Sequence, residues 1–200
     1  MWILRSSPPS PFGRKVKIGA ALCRLSDRFR IEATDTTDPA DPVRRDNPLG
    51  KIPTLILEDG TALFDSRVIL EFLDDQAGGG VILPTGAERF LALTLQALAD
   101  GVMDAALLQV YEKRWRAAEI QLRPWMDHQA GKVERGLAAL EASPPALPAR
   151  PHVGHTALAC ALGYLDLRFE GTWRADHPKL VKWLDDFSAA VPSFEATRAH

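Results

Sequence analysis

Cysteine is nearly absent from this 200-residue chain, which has only Cys23 and Cys160, far apart and outside any C-x-x-C spacing. That excludes a disulfide framework and points to a reducing compartment. No apolar run approaches membrane-spanning length, and the opening Met-Trp-Ile-Leu-Arg is too short for a secretory signal, so a cytoplasmic location is expected. Charge of one sign is not in excess either. The 24 Lys and Arg against 26 Asp and Glu leave a formal net charge of -2, which gives no pull toward nucleic acid or an anionic membrane. The local basic clusters, Arg14, Lys15, Lys17 and Lys113, Arg114, Arg116, read as solvated helix faces. No internal repeat is present. His152 and His155 have ligand-like spacing but no evident third ligand, so they read as cap or surface histidines and no metal is expected.

What remains is ordinary globular text, and it divides in two. Trp2-Ile3-Leu4 reads as a buried strand, and from Phe12 the apolar residues Val16, Gly19, Ala20 and Cys23 recur at helical spacing. Phe29–Ala33 alternates as a strand, and Thr34–Asn47 is a polar loop with at most a short helix. Thr54–Leu57 and Thr61–Phe64 are strands around an Asp59-Gly60 turn, and Asp65-Ser66 opens a helix. The order β-α-β-loop-β-β-α predicts a thioredoxin-like unit over residues 1–76. A Gly- and Pro-containing linker over 77–87 follows, and 88–200 reads as an all-helical bundle. Its nearly all-apolar segment Val153–Phe169 is expected to be the central buried helix, and Pro178–Val191 the last.

Three short pieces bear on chemistry. Ser10-Pro11-Phe12-Gly13 has the outline of a C-P-F-C redox turn with both cysteines missing. Pro11 at a first helical position makes Ser10 a natural N-cap, and a helix N-terminus favours anions. Ser6 and Ser7 compete, but only Ser10 can cap the helix. Ile52-Pro53 stands just before a strand, where a cis bond would turn the Ile52 backbone toward an extended peptide and a trans proline would merely begin the strand. Asp65-Ser66 is by itself a routine helix start. Beside the other two it suits an amino acid, with Ser66 on the α-carboxylate and Asp65 on the α-ammonium.

Together SPFGRKVKI, NPLGKIPTL and DGTALFDSRVILEFLD resemble the N-terminal domain of glutathione transferases. ALADGVMD and ALACALGYLDLR are similar to the helical domain of bacterial members. The resemblance implies a homodimer that binds glutathione as co-substrate, with Ser10 catalytic and Lys51, Ile52, Pro53, Asp65 and Ser66 holding the tripeptide. It further implies a detoxifying transferase that joins glutathione to a small hydrophobic electrophile. The electrophile pocket is expected between the domains, with Phe12, Met103, Leu107 and Tyr111 as its candidate walls. Glutathione would then supply the sulfur that the turn lacks. A charge-assisted hydrogen bond of about 1.5–3 kcal/mol and a helix terminus adding roughly 0.3–1 kcal/mol would lower a thiol pKa by roughly 1–3 units. Peroxidase, dehalogenase or lyase chemistry fits the same site. A non-catalytic interaction module, as stringent starvation proteins resemble, is the alternative from another class. The buried helix departs from the family's Ser, Thr or Asn cap with Asp three residues on. It carries His152 and His155 instead, from which a weaker helix start is expected.

Overall fold

The computed structural model describes residues 1–199. Strands β1, Trp2–Ser6, and β2, Phe29–Ala33, run parallel in a register from Trp2 beside Phe29 to Ser6 beside Ala33. Parallel neighbours need a crossover, and helix α1, Pro11–Leu22, supplies it. Strand β3, Thr54–Ile56, pairs antiparallel with the other edge of β1, and β4, Ala62–Leu63, pairs antiparallel with β3. The sheet order is therefore β2-β1-β3-β4. Helix α2, Val43–Asp46, is a single turn within the polar segment, and α3, Ser66–Gln76, completes a thioredoxin-like unit.

Gly78, Gly79 and Gly80 follow with φ of +99°, +80° and +72°, a left-handed run that side chains would strain. The Asp74 carboxylate fixes this linker by accepting from the backbone N–H groups of Gly80, Val81, Ile82 and Leu83 at 2.7–3.1 Å. Beyond it lie α4, Gly86–Trp115, α5, Arg123–Ala142, α6, Val153–Phe169, α7, Pro178–Ala190, and the single turn α8, Ser193–Ala196. This part is all helical.

Helix α6 is buried along most of its length, as its apolar sequence requires. It lies so close to α4 that a Cβ on Gly154 would sit 2.7 Å from the Ala92 carbonyl oxygen. The histidines do not weaken its start. The His152 ring accepts from the Gly154 N–H at 3.1 Å, and the His155 ring accepts from the His152 N–H at 3.1 Å, a capping box built from two imidazoles. The other His155 nitrogen meets the Ala146 carbonyl at 3.0 Å, which fixes the tautomer, and burial pushes the pKa of this ring down to about 4. Helix α4 corrects a second expectation: its length and composition alone would suit a membrane span. Its Ala99, Met103 and Ala106 instead pack in the helical core with α6.

Two apolar clusters result, and α1 belongs to both. Val16 and Ala20 pack with Leu4, Leu55, Ile69 and Leu73 of the sheet unit, whereas Ile18 joins Met103, Leu158 and Leu162 of the helical one. Enclosed from both sides, α1 has little face left for solvent, and the reading of its basic cluster as solvated is wrong. Lys15 is 0% exposed and its ammonium meets the Asp100 carboxylate of α4 at 2.6 Å. Arg14 is also buried, donates to the Phe194 carbonyl and stacks 3.9 Å over the Phe194 ring. Lys17 is half-buried.

Candidate active site

The sheet register brings three separate segments to one end of the sheet. Arg5 pairs with Thr54, so the end of β1 lies beside Pro53; Leu55 pairs with Leu63, so the same end of β3 lies beside Asp65. The β1–α1 turn, the Ile52-Pro53 loop and the start of α3 therefore share an edge.

Ser10 has the extended backbone of an N-cap, φ -73° and ψ 115°, and its Oγ accepts from the Gly13 N–H at 3.1 Å. A hydroxyl has one proton and two lone pairs. Capping uses a lone pair and leaves the proton to donate elsewhere, so the capping and functional readings of Ser10 are compatible. Gly13 permits this closeness, because a Cβ there would lie 3.3 Å from Ser10 Oγ and would overlap Ser6 Oγ. Ser6, by contrast, is 1% exposed and closed off from solvent.

The Ile52-Pro53 bond is cis. Ile52 precedes the paired residues of β3, so its N–H and C=O stand outside the ladder. Asn47 braces this loop, and the sequence reading assigned it no role. Its amide donates to the Lys51 carbonyl at 3.0 Å and to Thr54 Oγ1 at 3.2 Å, while its own oxygen accepts from the Leu49 N–H at 3.0 Å. Its place in NPLGKIP was the available signal.

Asp65 caps α3 through the Arg67 N–H at 2.9 Å and pairs with the Arg67 guanidinium at 2.8 Å. Burial opposes ionisation of Asp65, but the Arg67 hydrogen bonds outweigh it and hold the carboxyl below its usual range. Arg67 is a second residue that sequence reasoning missed. Ser66 is buried at the helix start, and Lys51 is exposed at the rim. From α4, Asp100 and Asp104 face this end; burial raises both carboxyls, and Asp100 raises Asp104 further. Lys51 and Arg67 oppose that rise at Asp104.

Neither cysteine competes as a nucleophile. Burial pushes the Cys23 thiol up to about 12 and the Cys160 thiol up to about 11. Among the described residues, no group of three or more His, Cys, Asp or Glu is placed to hold a metal.

A cavity of about 240 Å3 opens on the helical-domain flank of Ser10, between the Pro8-Pro9-Ser10 turn and α6. None of the four expected electrophile walls lines it. Met103 is 0% exposed and belongs to the helical core, which corrects its assignment. Phe12 and Leu107 are half-buried against the same core. Tyr111 borders a different, shallower groove with Trp115 and Trp125.

The arrangement has close counterparts among known proteins. Residues 9–76 match the family model "Glutathione S-transferase, N-terminal domain" and residues 123–186 match "Glutathione S-transferase, C-terminal domain". A curated relative, the uncharacterized GST-like protein YibF of Escherichia coli K12, is 34% identical over 188 residues, 92% of either chain. The chain belongs to the glutathione S-transferase family. A family member from Pseudomonas fluorescens Pf-5, solved with bound glutathione, is 42% identical with a TM-score of 0.92 over the whole of both chains. The same transferase was solved with S-(propanoic acid)-glutathione. A glutathione S-transferase from Methylobacillus flagellatus KT with glutathione bound is 34% identical, with a TM-score of 0.91 over both full lengths.

Proposed function

We propose that this chain binds glutathione and transfers its sulfur to a small electrophile, with Ser10 as the group that stabilises the thiolate. The observation that carries the reading is the Ser10 hydroxyl. It uses a lone pair on Gly13 and keeps its proton available, at a helix N-terminus that lies on the same sheet edge as Ile52-Pro53 and Asp65-Ser66. The relatives that hold glutathione support it. The Ile52 backbone pairs with the peptide, Ser66 and the α3 terminus take the α-carboxylate, Asp65 takes the α-ammonium, and Lys51 meets a carboxylate or carbonyl at the rim. Arg67 keeps Asp65 ionised for that role.

In the reaction the thiolate electron pair forms a carbon–sulfur bond as the electrophile's leaving group departs with its own pair. The donor hydrogen bond and the helix terminus together favour the thiolate by about 2–4 kcal/mol, roughly 1–3 pKa units. We further read residues 1–76 and 88–200 as the two domains of a cytoplasmic homodimer. The exposed Val68 on α3 and Phe90 and Leu91 on α4 suit a subunit interface.

Titration of glutathione bound to the protein, followed by thiolate absorbance, tests the mechanism. The bound thiol is expected to ionise roughly 1–3 units below its free value, and Ser10→Ala is expected to move it back. A bound thiol that titrates like free glutathione rules the mechanism out.

A further inference from the structure

The cavity beside Ser10 has a charge character that a merely hydrophobic electrophile does not explain. Three arginines border it: Arg14 from α1, Arg174 from the turn after α6, and Arg198 near the end of the chain. Its acidic lining residue, Asp166, is already satisfied. Arg174 grips both its oxygens at 2.8 and 2.7 Å, and the Trp173 indole donates to it at 2.9 Å. Arg198 spends a single contact on Glu195, at 3.0 Å, and is half exposed.

Arg14 is the unusual member. It is 7% exposed, and its hydrogen bonds go to neutral groups: the Phe194 carbonyl and, at 3.4 Å, Thr197 Oγ1. Among the described residues no carboxylate forms an ion pair with it. Gly163 of α6 makes room for this guanidinium, since a Cβ there would stand 2.5 Å from Arg14 Nη1. Burial lowers the Arg14 pKa, yet a guanidinium stays charged at neutral pH. The carboxylates of Glu195 and Asp166 act on it only through space and are themselves paired with Arg198 and Arg174, and a buried cation with no ion-pair partner of its own is costly unless an anion completes it.

We propose that this cavity is the electrophile subsite and that it selects compact electrophiles carrying a carboxylate, which Arg14 and Arg198 bind while Ser10 holds the attacking sulfur. The inference rests on the thiolate role of Ser10 given above and names the substrate class of that site. At about 240 Å3 the cavity lies below the roughly 300–1,000 Å3 of pockets for drug-sized ligands, so the acid is small. A 2-halocarboxylate meets the requirement. The sulfur pair forms the S–C bond at the carbon beside the carboxylate, the carbon–halogen bond breaks, and halide leaves with that bonding pair. The product is a glutathione thioether that still carries the acid.

The test compares 2-chloropropanoate with neutral, near-isosteric 2-chloropropanamide. Binding to the full chain is followed by ligand-observed NMR without glutathione, and initial rates of conjugation are measured with it. The acid is expected to show Kd and KM values about tenfold lower than the amide, the scale of one charge-assisted contact. Arg14→Gln is expected to abolish that preference. Arg198→Gln, which removes a half-exposed side chain and leaves the core intact, lowers it several-fold. Equal binding of acid and amide by the unaltered chain overturns the inference, as does a preference that survives in a folded Arg198→Gln and Arg14→Gln alike. Turnover of a neutral chloronitrobenzene without any acid preference removes this inference and leaves the transferase reading standing. An acid preference in binding, with no glutathione-dependent turnover of either probe or of the chloronitrobenzene, leaves a carboxylate site but removes the transferase reading and, with it, the assignment as an electrophile subsite.

Discussion

Lys15 of α1 and Asp100 of α4 meet at 2.6 Å, with the lysine wholly enclosed, so an ion pair ties the helix that follows the Ser10 turn to the helical domain. Burial pushes the ammonium down and the carboxyl up, and their contact opposes both movements. Removing one partner leaves a buried charge uncompensated. Lys15→Met alone, or Asp100→Leu alone, is therefore expected to cost about 3–5 kcal/mol in denaturant unfolding, and the double replacement markedly less than the sum. Additive losses would show that the two side chains do not act as a pair.

Ser10 allows its cap role to be separated from the thiolate-donor role proposed for it. Ser10→Ala loses both roles, with a stability loss of about 0.5–2 kcal/mol and a fall in kcat. Ser10→Asp keeps an acceptor for the Gly13 N–H and adds a favourable charge at the helix terminus, but at neutral pH it has no proton to donate and repels a thiolate. Stability close to that of the unaltered chain with activity at or below that of Ser10→Ala is the expected pairing. Full activity in Ser10→Asp would contradict the donor role.

The imidazole capping box makes stability depend on pH in a definite direction. The His155 ring titrates near 4 in the folded chain and near 6.5 when unfolded. Burial, then the neighbouring His152, disfavours its charged form. Its contribution is complete above about pH 6.5 and is lost progressively as pH falls toward 4, on the order of 3 kcal/mol in all. His152→Ser with His155→Glu restores a Ser-x-x-Glu box without an imidazole. Thermal melts across pH 4–7 should show a shallower acid limb in that variant, and an unchanged limb would assign the acid sensitivity elsewhere.

Asn47 holds the Ile52-Pro53 loop, whose backbone is proposed above to meet glutathione. Asn47→Ala removes one donor each from Thr54 Oγ1 and the Lys51 carbonyl, which keep their mutual bond at 2.9 Å, and frees the Leu49 N–H, at about 0.5–1.5 kcal/mol for each hydrogen bond lost. The KM for glutathione is expected to rise while the pKa of the bound thiol stays put, because Ser10 is untouched. A shifted thiol pKa with unchanged KM would reverse that assignment.

Much of the fold was legible because its signals are local. The α6 boundaries, Val153 to Phe169, follow from a nearly all-apolar run, and the Asp59-Gly60 turn marks its own hairpin. The basic cluster misled because Lys15 looks like any surface lysine until Asp100, 85 residues away, faces it. Met103 misled for the same reason: periodicity tells which residues share a face but not what covers it. Arg14, Arg174 and Arg198 converge only in three dimensions, so no spacing announced their cavity. At the candidate site, Ser10, Ile52-Pro53 and Asp65-Ser66 were visible as turn and cap chemistry, whereas Arg67 and Asn47 act through side-chain bonds that sequence does not display.

The first helix is a party wall between two rooms. Swinging the halves apart would pull Ile18 from one interior or Val16 and Ala20 from the other, and would strip Lys15 of its counter-ion. The two halves are thereby bound to one another through a single shared helix, and the turn that begins it is held from both sides.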